Sequence, residues 1–142
     1  MAREIIIDTD PGCDDAVALL LALAVPGALS VLGVTCVAGN VDLDATWRNA
    51  RRVCALAGRA DIPVMSGCDR PLTRAPATAA HVHGADGLAG LDLPEPATPP
   101  DSRPAVDFLI DTLRARHAGT VTLVAIGPLT NIATAFARAP DI

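Results

Sequence analysis

Apolar stretches of strand length alternate with longer apolar segments of helical period along the chain. The strand-like stretches are 3–8, 29–37, 62–65 and 120–126. The helical segments run from Asp14 to just before Pro26, over 43–57, over 105–117 and over 129–139. The strands are nearly continuous apolar runs, which is typical of strands buried on both faces. The pattern predicts an α/β fold with an open, mainly parallel sheet and helices on both faces.

One segment interrupts this alternation. Residues 66–103 are too long and too rich in Gly and Pro for an ordinary connection. The stretch "HVHGADGLAGLD" within it has more specific chemistry than a linker needs, so we expect 66–103 to be a long loop that acts as a lid. Without a visible repeat or second core, residues 1–142 are expected to form a single domain.

Composition narrows the class of protein. The chain has 142 residues, is 51% hydrophobic and carries a net charge of −5, which argues against nucleic acid as a partner. Its longest apolar run, 16–26, is too short to cross a bilayer, so no membrane partner is expected. The four cysteines show no Cys-x-x-Cys spacing and are expected to be free. Together these features predict a cytoplasmic protein.

Polar side chains follow the predicted strands where each one ends. The carboxyl ends of parallel strands meet at one edge of a sheet, which is where ligands bind in such folds. The residues expected to meet there are Asp8, Asp10, Asp14, Asp15, Asn40 and those of the segment 126–131.

The four aspartates of "DTDPGCDD" need more than a structural explanation. Helix capping and strand termination account for two of them. Two carboxylates about 4 Å apart repel by roughly 4 kcal/mol at an effective dielectric near 20, so a tight group requires a cation or a shared proton. A set of oxygen ligands favours calcium or magnesium over zinc, and a flexible loop suits calcium. The spacing is not that of an EF-hand.

Four motifs in this order resemble the inosine-uridine preferring nucleoside hydrolases: "DTDPGCDDAVAL", "VAGN" followed by a helix with "RNA", "HGADGLAGL" and "AIGPLTNIA". The resemblance covers the chain from Glu4 to Ile142. It implies a Rossmann-like nucleoside hydrolase core that cleaves the N-glycosidic bond of a ribonucleoside, with calcium as cofactor, giving ribose and free base. Copies of the chain are also expected to associate into a homo-oligomer.

The resemblance also implies roles for individual residues. Asp10 and Asp15 would bind calcium together with the backbone carbonyl of Ile126, and Asp10 would take the proton from the attacking water. Asp14 and Asn40 would bind the ribose hydroxyls.

Further residues have weaker assignments. His83 would face the base in this family, although a loop histidine next to glycine is often merely exposed. Asp8 is expected to orient the loop. Asn40 could instead cap the following helix, and Thr130 and Asn131 are expected to cap the last one.

Members of the family normally continue well beyond this length, and their later half supplies a further calcium-binding aspartate, ribose contacts and a leaving-group acid. We therefore expect these residues to be an N-terminal portion of the fold.

The sequence also allows two alternative functions. A haloacid-dehalogenase-like phosphatase also places Asp-x-Asp after its first strand, with Asp8 as nucleophile and Asp10 as acid and base. That class needs a lysine, and all eleven basic residues here are arginine. The other alternative is a binding module for calcium or ribose without hydrolytic activity.

Overall fold

The computed structural model describes residues 2–142, in which helices alternate with strands. The elements are β1 Arg3–Thr9, α1 Cys13–Leu23, β2 Leu29–Cys36, α2 Leu43–Leu56, β3 Val64–Ser66, α3 Ala80–His83, α4 Ala105–Arg114, β4 Val121–Ala125 and α5 Thr130–Arg138.

The four strands form one sheet in the order β3-β2-β1-β4, and every pairing is parallel. This confirms the parallel sheet predicted from the continuous apolar strands. The first strand is central and its residues Ile5 to Asp8 are buried, as expected for a strand covered on both faces. Parallel pairing directs the loops after β1, β2 and β4 to the same edge.

Alternate residues of β1 pack into two separate cores. Ile5 and Ile7 contact the layer formed by α1 and α2, in which Leu19 and Val53 are buried. Ile6 points to the other side, where it packs with residues of α4 and α5. The sheet is therefore covered by helices on both faces, as the sequence predicts.

Local sequence explains where elements begin and end. The third strand starts at Val64, two residues later than predicted, because Pro63 has no N–H to donate to a strand ladder. Pro63 still accepts a hydrogen bond from Val34 through its carbonyl. The short helix α3 lies within 66–103 and was not predicted from the Gly- and Pro-rich composition.

Three arginines on α2 anchor part of the long segment 66–103. Arg52 pairs with Glu95, Arg48 lies 3.8 Å from the same carboxylate, and Arg51 donates to the carbonyl of Thr98. This face of α2 therefore binds the part of the long segment that crosses it. In the described part of the chain, no helix is long and apolar enough to span a membrane.

Candidate active site

The loops after three strands are bound to one another at the carboxyl edge of the sheet. The carbonyl of Asp8 accepts hydrogen bonds from the N–H groups of Ile126 and Gly127, at 2.9 and 3.1 Å. The carbonyl of Thr9 accepts one from Val37 at 3.0 Å. These backbone contacts bring the "DTDPGCDD" loop next to the segments that follow β2 and β4.

Asn40 connects two of the aspartates. Its backbone N–H donates to Oδ2 of Asp10 at 2.7 Å. Its side-chain Nδ2 donates to the Asp10 carbonyl at 2.9 Å and to Oδ2 of Asp15 at 3.3 Å. The capping alternative for Asn40 is wrong, because Asp42 caps α2 by accepting from the N–H of Ala45. The side chain of Asn40 therefore belongs to the aspartate group.

Two glycines leave room for the carboxylate of Asp10. A Cβ atom at Gly39 would lie 2.1 Å from Oδ2 of Asp10, and one at Gly127 would lie 2.9 Å from Oδ1. Any larger residue at either position would displace the carboxylate. The glycines of "AGN" and "IGP" are explained by this close packing.

Asp15 is held from within its own loop. Its Oδ1 accepts from the hydroxyl of Thr9 at 2.8 Å, and its Oδ2 accepts from the N–H of Gly12 at 3.2 Å. The second contact satisfies an amide at the start of α1, so capping does account for part of Asp15. The side chain is buried all the same.

Asp8 lies completely buried beneath this loop. Its Oδ1 accepts from the hydroxyl of Thr35 at 2.6 Å and from Nδ2 of Asn131 at 2.8 Å, while its Oδ2 has no hydrogen-bond partner. Burial raises the pKa of Asp8, against the opposing effect of these two hydrogen bonds. The position agrees with the expected orienting role and leaves Asp8 inaccessible as a nucleophile.

Asp14 and His83 lie at the outer side of the group. The Asp14 side chain is 83% exposed, and its Oδ1 is 3.9 Å from Nε2 of His83. His83 Nδ1 accepts from the N–H of Cys13 at 3.3 Å, which brings the long loop onto the start of α1. His83 is only 14% exposed in its side chain, so it is not the freely solvated histidine that its loop position allows.

Ile126 directly follows β4, and its N–H is bound to the end of β1. The residue is 41% exposed. The structure thus brings Asp10, Asp15, Asn40 and Ile126 to one edge of the sheet and brings Asp14 and His83 together beside them.

The buried carboxylates of Asp8, Asp10 and Asp15 have no cationic partner among residues 2–142: every ion pair found there involves other acidic groups. Burial raises the pKa of Asp10 to about 6, and the negative charges of Asp15 and Asp14 add to the effect. Unpaired buried carboxylates are costly, so this group is suited to a cation or a proton.

The donor set fits a hard cation such as calcium but does not complete its shell. Carboxylate and carbonyl oxygens are the ligands such ions prefer, and they take six to eight of them. Within the described residues, no three His, Cys, Asp or Glu side chains are grouped closely enough to hold a metal ion. Further ligands would have to come from water, substrate or another part of the fold.

The sequence model of the inosine-uridine preferring nucleoside hydrolases matches residues 5–142. The chain belongs to this nucleoside hydrolase family. Its relatives include the pyrimidine-specific ribonucleoside hydrolase RihA of Shewanella baltica, 50% identical over 100% of this chain and 44% of the relative. The inosine-uridine preferring nucleoside hydrolase of Leishmania major is 43% identical over 100% of this chain and 45% of the relative.

Solved nucleoside hydrolase structures agree with the fold. A plant nucleoside hydrolase, PpNRh1, superposes with a TM-score of 0.90 at 39% identity, covering 99% of this chain and 44% of that chain. An inosine-guanosine nucleoside hydrolase gives 0.85 at 35% identity, covering 99% and 43%. The Rossmann-like nucleoside hydrolase core predicted from the motifs is confirmed. The chain spans less than half the length of these relatives.

Membership of the nucleoside hydrolase family excludes the haloacid-dehalogenase-like phosphatase as an alternative. That mechanism requires Asp8 to attack phosphorus, and Asp8 is 0% exposed.

The sequence did not predict the supporting role of two polar residues, Asn131 and Thr35. Asn131 does not cap α5. The N-cap residue is Leu129, which makes no side-chain hydrogen bond to the helix. The side-chain amide of Asn131 instead forms hydrogen bonds with Asp8, Cys36 and Cys68. Thr35 is a polar residue in the buried half of a mostly apolar strand, and that break in the pattern was the available signal. The cap prediction failed because Asn131 is turned toward the sheet.

The raised pKa of Asp10 predicts a specific pH dependence of folding stability in the presence of a chelator. Asp10 holds its proton more tightly in the folded chain than at the ordinary value of 3.8. Its contribution is therefore complete below about pH 4 and is lost as the pH rises through about 6, a change of about 3 kcal/mol.

Urea unfolding of wild type and Asp10→Asn, near pH 4 and near pH 7, measures this contribution. We expect the variant to gain stability over wild type at the higher pH only. The same difference at both pH values would contradict the assignment.

Proposed function

We propose that this chain carries the calcium- and ribose-binding part of a nucleoside hydrolase, which cleaves the N-glycosidic bond of ribonucleosides to ribose and free base. The observation that carries the proposal is the pair of buried carboxylates, Asp10 and Asp15, which Asn40 joins and which no basic side chain among residues 2–142 neutralises. The names of the relatives, which include pyrimidine-specific and inosine-uridine preferring hydrolases, support the substrate class.

Asp10 and Asp15, with the backbone carbonyl of Ile126, are proposed to hold calcium. When bound, the ion would supply positive charge that favours the ionised carboxylates and helps to orient and activate water and the ribose diol. The remaining ligands are proposed to come from the part of the family fold beyond these residues, as the motif resemblance implies.

Asp10 is proposed as the general base that accepts a proton from the attacking water. A general base works best when its pKa lies near the working pH. Burial raises the pKa of Asp10 to about 6, which is closer to neutrality than an exposed aspartate. Gly39 and Gly127 pack against the carboxylate of Asp10 and restrict its position. A fixed position favours proton transfer because the base is already oriented toward the water.

Asn40 and Asp14 are proposed to bind the ribose hydroxyls in different ways. The side-chain amide of Asn40 has two N–H donors, and its hydrogen bonds to Asp10 and Asp15 use both. Its carbonyl oxygen is therefore the atom that would accept from a ribose hydroxyl. Asp14 is exposed and would accept from another hydroxyl.

The leaving base is proposed to lie toward His83, which covers the same end of α1 as Asp14. As the glycosidic bond breaks, positive charge develops on the ribose ring. The carboxylates of Asp10, Asp14 and Asp15 would stabilise that charge, and those of Asp10 and Asp15 are already held by hydrogen bonds before the reaction starts.

A cytoplasmic location is part of the proposal. The four cysteines are all free, as expected in a reducing compartment.

Association of chains through the open edge of β4 is also proposed. Within the described sheet, β4 pairs with β1 on one side only. Light scattering should report a species larger than a monomer. A monodisperse monomer would count against this assembly.

Asp14→Ala provides a test that should leave the fold intact, because this side chain is exposed. Loss of a charged hydrogen bond to ribose should lower kcat/KM by about 10- to 100-fold. Asp44→Ala is the matched control, since Asp44 is an exposed aspartate in the first turn of α2.

The assay follows free base and ribose chromatographically after incubation with uridine or inosine. Release of base and ribose in equal amounts is expected. Binding of ribose without any release would instead identify a non-catalytic binding module, and equal kcat/KM in the two variants would remove Asp14 from the site.

A further inference from the structure

Asn49 on α2 joins two segments that are far apart in sequence. Its side chain is buried, and its Nδ2 donates to the carbonyl of Asp86 at 2.7 Å and to the carbonyl of Pro11 at 3.4 Å. Pro11 lies between Asp10 and Gly12 in the aspartate loop. Asp86 belongs to the turn after α3. One amide group thus bridges the aspartate loop and residues 83–90, which we call the 83–90 turn.

The 83–90 turn is pressed closely against this amide. A Cβ atom on Gly87 would lie 2.9 Å from Nδ2 of Asn49 and 3.1 Å from the carbonyl of Pro11. Gly87 also has a φ of +83°, a conformation that other residues rarely adopt. The contact between the turn, the aspartate loop and Asn49 therefore tolerates no side chain at this position.

The 83–90 turn is closed by its own hydrogen bonds. The carboxylate of Asp86 accepts from the N–H groups of Leu88 and Gly90 at 3.1 to 3.2 Å, and Ala89 N–H donates to the carbonyl of His83 at 2.7 Å. These bonds give the turn its shape but do not attach it to the sheet. Leu88 anchors the turn in the apolar core beside α1 and α2, and Asn49 adds the buried hydrogen bonds that join the turn to the aspartate loop.

His83 is the residue whose position depends on this attachment. It is the first residue of the 83–90 turn, and its Nδ1 accepts a hydrogen bond from the N–H of Cys13 at 3.3 Å. A second, weak contact joins Sγ of Cys13 to the carbonyl of Gly87 at 3.9 Å. Moving the turn away from Asn49 would therefore also withdraw His83 from the start of α1.

We propose that Asn49 is a positioning residue that fixes the 83–90 turn against the aspartate loop and thereby holds His83 over the substrate site. The part of this inference that concerns nucleoside binding rests on the proposed function. The part that concerns the position of the turn can be tested without any turnover, so the two can fail separately.

Hydrogen exchange measured by NMR on the full chain distinguishes attachment from shape. In Asn49→Ala, the N–H of Cys13 should exchange at least about tenfold faster, because its partner His83 leaves, and the His83 imidazole signals should shift. Exchange at Ala89 should change by less than about twofold, because its bond lies within the turn.

Asn49→Asp is the second variant, because it keeps the shape of the side chain and removes both donors. Thr46→Val is the matched control on the same helix: its hydroxyl donates to the carbonyls of Val37 and Leu43 and does not reach the turn. The control should leave Cys13 exchange and the His83 signals unchanged.

Two results would overturn the proposal. One is unchanged Cys13 exchange and His83 signals in both Asn49 variants, which would make Asn49 an ordinary buried amide. The other is global unfolding of both variants, which would show that Asn49 supports the core rather than one attached turn.

Discussion

Asp10→Asn is expected to lower calcium affinity by about 100-fold or more and to slow nucleoside hydrolysis by about 10²- to 10⁴-fold, which would remove detectable ribose release. The amide that replaces the carboxylate neither carries the charge that a calcium ion needs nor accepts a proton from water. Its oxygen can still accept from the N–H of Asn40, which donates to Asp10 at 2.7 Å, so the loop should keep its position.

Calorimetric titration with calcium near neutral pH measures the first effect, and ribose release measures the second. Asp44→Asn is the control, because it removes an exposed charge from α2 without touching the site. A calcium titration that is the same for Asp10→Asn and wild type would remove Asp10 from the metal site.

Asn131→Ala is expected to lower the free energy of unfolding by about 3–5 kcal/mol, the largest loss among the proposed variants. Asn131 is completely buried and makes three hydrogen bonds: Nδ2 donates to Asp8 and to the carbonyl of Cys36, and Oδ1 accepts from the N–H of Cys68. Truncation would leave buried polar groups unpaired in three different segments. It would also remove one of the two bonds that oppose the raised pKa of Asp8.

Urea unfolding followed by circular dichroism gives the free energy directly. Thr134→Ala on the same helix is the comparison, because its hydroxyl donates to the Thr130 carbonyl one turn earlier. That variant should lose no more than about 1 kcal/mol. Equal losses in the two variants would mean that the Asn131 hydrogen bonds around Asp8 contribute no more stability than one hydroxyl hydrogen bond within the helix.

The fold could be predicted largely from the sequence because its signals are local. Continuous apolar strands, helix breakers such as Pro26 and the Gly- and Pro-rich segment are all read within short windows. The boundaries differ from the structure by a few residues, as at β3, where Pro63 delays the strand.

The supporting residues of the site could not be predicted in the same way, because their partners are remote. Thr35 and Asn131 lie 27 and 123 residues from Asp8 in sequence, and Asn49 lies 37 residues from Asp86. Only the folded sheet brings them together. The aspartates themselves were recognisable because they are concentrated in one loop after a strand, where a parallel sheet binds ligands.

The proposed calcium-dependent hydrolysis is tested most directly by ribose release from uridine, cytidine, inosine and adenosine by the purified chain, measured with calcium and again after chelation. We expect release that requires calcium and is lost in Asp10→Asn. Release that is unaffected by chelation, or that persists in Asp10→Asn, would contradict the proposed role of the aspartate site.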